Sequence, residues 1–242
     1  MMDKLKSSLA NDFKIASNEY LILIVLMMVG CAFVPFTFLW IPMLGILYLI
    51  VMLGLLFQGL NKILYLSVFD KSSKFFEGYL ENIGAALVSK CFVSAVGMIE
   101  ILLLPVATVA LTVSMNALEW QEVFDWYAGF CTDSTMIKPV LFAEAINVVA
   151  NCILTGALLM LATICMAKVL RKAKSQSVRE CIQIVVYLLC ALMGAAIYLW
   201  WLLLGLENSL IYCGLSIIVK LGLCAALIPV MKKQIITIYE ES

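Results

Sequence analysis

Apolar residues in this chain fall in long unbroken runs, separated by short polar stretches. The runs cover about 19–39, 42–67, 91–117, 139–167, 181–205 and 208–231. Each is near or above the roughly 20 residues that a helix needs to cross a bilayer. The pattern predicts an all-α polytopic membrane protein, a single transmembrane domain over 1–242 with six transmembrane helices.

The polar stretches carry patterns of their own. Leu5, Leu9, Phe13 and Ala16 recur at helical spacing, with Lys4, Asp12 and Lys14 elsewhere on the wheel, so residues 1–18 read as an interfacial amphipathic helix. Between spans two and three lies a charged, aromatic segment, 69–90. There Phe75, Phe76, Tyr79, Leu80, Ile83 and Leu87 make one apolar helical stripe opposite Lys74, Glu77, Glu81 and Asn82. Asp70, Ser72 or Ser73 can cap its start. Such a helix either lies on the bilayer or fills a groove in a cytosolic partner, and periodicity does not choose. In the segment Asn116 to Lys138, Trp120, Phe124, Tyr127 and Phe130 suit a short helix flat on the outer surface, either an ordinary aromatic belt or an element with a role in substrate passage. Spans five and six are joined by little more than Gly205–Ser209, a tight hairpin.

Composition narrows the chemistry. The hydrophobic fraction is 64% and the charged fraction 13%, against roughly 25% charged in a soluble domain. No G-x-x-x-x-G-K-[ST] loop is present, so any ATP-driven work needs a partner. Without histidine, a zinc metalloprotease, a serine–histidine protease and a histidine-ligated haem are excluded. The nine cysteines form no C-x-x-C, so neither a redox pair nor a zinc ribbon is expected, and Cys131 reads as a free thiol. No catalytic residue, metal site or nucleic-acid partner is expected. No cleavable signal peptide is expected either, since the first apolar run is too long for one.

Lysine and arginine set the orientation. They gather before span one, around the loops after spans two and four, and after span six; the other side holds Lys138 among acidic residues. This predicts both termini in the cytoplasm.

Four polar features lie inside the runs. Glu100 and Lys220 fall near mid-depth of spans three and six, where a lone charge costs a few kcal/mol. They are expected to approach one another, within one protomer or across a dimer, either as part of a translocation pathway or as a structural pair that orients two helices. Glu144 lies about one turn inside span four, and Asn147, Asn151 and Thr155 continue a polar stripe from it. Interhelical hydrogen bonding and a cavity lining are both open for that stripe.

In layout the chain resembles the type-two ABC exporter permeases, membrane subunits without their own ATPase. The residues that carry the resemblance are Asp70, Leu80-Glu-Asn-Ile83 and Leu87-Val-Ser-Lys90, which follow in order the family's Asp, Leu-Pro-Ile-Ser-like step and Val-Leu-Ser-Lys-like entry into span three. Glu81 stands where the family has proline, and the connection between spans five and six is shorter than in many members. The resemblance implies a bacterial plasma-membrane permease, similar to the compact branch that exports peptides or confers immunity to them. It implies a pair of permeases, a homodimer, with two copies of a cytosolic ABC ATPase that bind the ATP and Mg. Phe75, Phe76, Glu77, Tyr79 and Glu81 would be the ATPase-coupling residues on segment 69–90. The alternative is a secondary transporter or channel using Glu100 and Lys220. An enzyme has little to work with here.

Overall fold

A computed structural model describes residues 2–40, 42–69, 82–114, 137–172, 175–203 and 210–240. All of them but the turn at Asn82 and the connecting residue Ser175 lie in helices, and no strand occurs among the described residues. We label the helices α1 (Met2–Trp40), α2 (Pro42–Asn61), α3 (Ile83–Ser114), α4 (Ile137–Lys172), α5 (Gln176–Leu203) and α6 (Leu210–Glu240). A π-helical turn, Lys62–Leu66, and a last α-turn, Ser67–Phe69, continue α2.

Five stretches among the described residues are long and apolar enough to cross a membrane: Ile50–Phe69, Ile83–Glu100, Phe142–Ala167, Ser177–Ile197 and Leu210–Ile238. The protein is therefore an all-helical, multi-pass membrane protein. The remaining expected span, 19–39, falls in α1, whose side chains past Val29 lie outside the described residues.

Two boundaries differ from those read in the sequence. Residues 2–40 form one helix of 39 residues rather than an interfacial helix followed by a span. At 1.5 Å per residue α1 is about 58 Å long, nearly twice a bilayer core of about 30 Å. Asp12, placed on the polar face of the wheel, is fully buried. Helix α3 starts at Ile83 rather than 91, so the second half of segment 69–90 is the head of a membrane helix. Ile83 and Leu87, expected on the docking stripe, are core residues. A stripe of period 3.6 does not reveal whether it buries against a partner or against its own fold.

Helix α4 sits between α3, α5 and α6, while α1 packs along α2 and α3. Leu23, Leu60, Ile63, Leu87, Met160 and Ile164 fill the core where these helices meet. Helices α3 and α4 approach closely at Gly156: a β-carbon there would lie 2.7 Å from the Cys91 carbonyl oxygen. Single small residues thus serve the close packing that a G-x-x-x-G repeat serves in other membrane helices.

Candidate functional site

The most heavily bonded polar group is the ammonium of Lys90, near the start of α3. Its Nζ donates to Asp12 Oδ1 at 3.0 Å, to the Ile63 carbonyl at 2.9 Å and to Ser67 Oγ at 2.6 Å. An ammonium has three hydrogens, and all three are used. Ser89 Oγ donates to the other Asp12 oxygen, Oδ2, at 2.5 Å. Both charged side chains are essentially sealed from solvent.

The π-turn makes this arrangement possible. In a regular α-helix the Ser67 N–H would bond to the Ile63 carbonyl, four residues back. Here it bonds to the Lys62 carbonyl, five residues back. The Ile63 carbonyl is released from the ladder and takes the Lys90 ammonium and the Ser67 hydroxyl instead. One buried point therefore joins α1, the end of α2 and the head of α3. Nearby, Lys62 pairs with Glu19 of α1 at a partly buried site, the carboxylate nearly sealed and the lysine partly exposed. Both Lys62 and Lys90 read in the sequence as loop cations; the fold pairs each with an acid of α1.

A second polar cluster runs between α4 and α6. Lys220 Nζ donates to Asn147 Oδ1 at 2.7 Å, and Ser216 Oγ donates to the same oxygen at 3.0 Å. The Asn147 amide reaches Glu144 Oε2 at 3.4 Å, and Cys213 Sγ lies 3.0 Å from Glu144 Oε1. Cys213, Ser216 and Lys220 recur at i, i+3 and i+7, so they share one face of α6 opposite the face of α4 that carries Glu144 and Asn147. Asn151 turns the other way: its amide donates to the Gly194 carbonyl of α5 at 3.1 Å.

The structure thus brings together Glu144, Asn147 and Lys220. Within one chain the ion pairs among the described residues are Lys62–Glu19 and Lys90–Asp12, so a Glu100–Lys220 pair would have to form across a dimer. Glu100 lies on α3 one turn past Gly97, against which the Tyr20 ring packs, and its Oε2 has no hydrogen-bond partner. Lys220 faces α4, where Asn147 Oδ1 accepts a hydrogen bond from its ammonium. The expected coupling residues Phe75, Phe76, Glu77, Tyr79 and Glu81 lie outside the described residues, as does the segment 116–136.

Asp12, Ser67, Ser89 and Lys90 were missed by sequence reasoning, as were Cys213 and Ser216. The i, i+3, i+7 spacing of the latter two with Lys220 was a usable signal. Asp12 and Lys90 are separated by 78 positions, and nothing in either neighbourhood names the other.

No family model matches the chain, and no characterised protein or solved structure matches it. Among the described residues no group of histidine, cysteine, aspartate or glutamate could hold a metal ion.

Proposed function

We propose that the chain is the permease subunit of a type-two ABC exporter, a six-span protein of a bacterial plasma membrane with both termini in the cytoplasm. The observation that carries this reading is the locked junction on either side of segment 70–81. Ser67 lies just before that segment and Lys90 closes the first turns after it, and the Lys90 ammonium donates both to Ser67 and to Asp12. A docking element on a loose hinge would absorb the motion of a partner. One set on a buried, fully bonded charge passes that motion to α1, α2 and α3 together.

In this reading Phe75, Phe76 and Tyr79 anchor in a groove of a separate ATPase, and Glu77 and Glu81 pair with its surface. The ATPase subunits bind ATP and Mg. Two permeases pair, and closure of the ATPases rocks their helices between inward- and outward-facing states. The cargo is hydrophobic or amphipathic, of the peptide, toxin or antimicrobial class, taken from the cytoplasm or the inner leaflet.

The test is purification from native membranes followed by an ATPase assay. The expected result is copurification of a subunit with a G-x-x-x-x-G-K-[ST] loop and nucleotide hydrolysis stimulated by the permease. Transport by the purified chain alone, without nucleotide, would refute the reading and favour a secondary transporter or channel.

A further inference from the structure

Helix α2 has two distinct faces. Met52, Leu56 and Leu60 are buried, and Gly59 lies against the Tyr20 ring of α1. On the opposite side Leu47, Val51, Gly54 and Gln58 are exposed. Their spacing of four, three and four residues puts them on one stripe. The stripe is apolar except for one amide.

That amide is deep. In the apolar stretch Ile50–Phe69, Gln58 lies eight residues from one end and eleven from the other, about 12 Å and 16 Å at 1.5 Å per residue. Among the described residues, every other exposed amide or charged side chain in the five membrane-length stretches lies within two turns of a stretch end. The Gln58 amide bonds to none of the described residues. An amide facing hydrocarbon has no water to bond, so its N–H and C=O groups call for a protein partner. Acyl chains offer none, and the headgroups lie beyond both ends of the stretch.

A second copy of the same face supplies what is missing. A side-chain amide carries both donors and an acceptor, so it is its own complement. A two-fold axis sets identical groups opposite one another. One turn before the amide, Gly54 leaves the backbone bare: an added β-carbon there meets nothing within 4 Å. Two helices can approach closely at such a residue. The cleft between α2 and α5 is lined by Gly54, Gln58 and half-exposed Ile184, which flanks a helix seated on α2.

We propose that two copies of the chain pair through this face of α2, with their Gln58 amides exchanging N–H···O bonds about a two-fold axis along the bilayer normal. Leu47 and Val51 extend the contact toward the start of the helix. The proposal names the contact surface for the pair of permeases and rests on that pairing.

The test uses the full chain in lipid vesicles, without any ATPase. One population carries a donor fluorophore and one an acceptor, and energy transfer is followed as the protein-to-lipid ratio falls. Saturable transfer with two copies per complex is expected. Gln58→Leu should weaken pairing about tenfold, the loss of two interhelical hydrogen bonds. Gln58→Asn, which keeps a shorter amide, should weaken it less. Gly54→Ile should weaken it at least as much as Gln58→Leu by holding the backbones apart. All three should keep native helicity by circular dichroism, since Gln58 has no bond to lose and Gly54 faces open space. Gly222→Ile, on an exposed and equally open face of α6, should leave pairing unchanged. Unchanged pairing in Gln58→Leu and Gly54→Ile, or equal disruption by Gly222→Ile, would overturn this surface and leave the pairing of permeases standing. A chain that stays monomeric at every ratio would overturn both. Copurification of an ATPase reports on the exporter reading separately.

Discussion

Lys90 and Lys220 are both buried ammonium groups, each 1% exposed, and they are held in different ways. Lys90 meets a carboxylate directly and is completed by a carbonyl and a hydroxyl from the π-turn. Lys220 meets an amide oxygen, and the Glu144 carboxylate stands one hydrogen bond beyond it. A direct buried ion pair has one good geometry and a steep cost for leaving it, because either charge alone is stranded. In the second cluster a neutral amide stands between the two charged groups, and Cys213 and Ser216 offer neighbouring groups on the same face when one member moves. The junction at Lys90 therefore fixes three helices at a point. The track between α4 and α6 sets their register and tolerates displacement.

That contrast can be broken by substitution. The largest effect is expected for Lys90→Met, which leaves Asp12 charged and buried: a loss of about 3–5 kcal/mol, read as a fall in Tm of the detergent-solubilised protein. The double change Asp12→Leu with Lys90→Met should recover most of it, because the stranded charge is gone. If the single change proves mild, the junction is packing and not an ionic lock. Lys62→Met sharpens the comparison. Lys62 is 35% exposed but its partner Glu19 only 7%, so removing the lysine strands a mostly buried carboxylate, and a loss of about 1–3 kcal/mol, below that of Lys90→Met, is expected. Asn147→Leu should cost less, about 1–2 kcal/mol, in line with the upper range of interhelical hydrogen bonds in membranes. Ser216→Ala, which leaves Lys220 bonded to Asn147, should cost about 0.6 kcal/mol in the same thermal assay.

The all-helical class and the spans read in 42–67, 139–167, 181–205 and 208–231 were legible from the length and spacing of the apolar runs, since a bilayer imposes that length on any sequence. The association of Glu144 and Asn147 was legible too, because residues three or four apart share a helix face. The bond from Lys220 to Asn147 within the chain was not, because depth in a span, which matched Lys220 to Glu100, says nothing about which way a side chain faces around its helix. The junction was the least legible part. Asp12 looked like an ordinary polar residue on an amphipathic helix, and Lys90 like a loop charge. Only the π-turn, which frees the Ile63 carbonyl, makes the place where they meet. A one-residue slip in helical hydrogen bonding has no periodic signature.

The proposed coupling to an ATPase depends most directly on the segment that follows the junction. The deciding measurement is nucleotide hydrolysis by the complex purified from membranes, comparing the native chain with a variant carrying Phe75→Ala, Phe76→Ala and Tyr79→Ala. With equal amounts of permease in the membrane, the native chain should retain an ATPase subunit and stimulate it, and the variant should lose both. An unchanged complex with unchanged hydrolysis in the variant would contradict the account, as would a native permease that retains no ATPase at all.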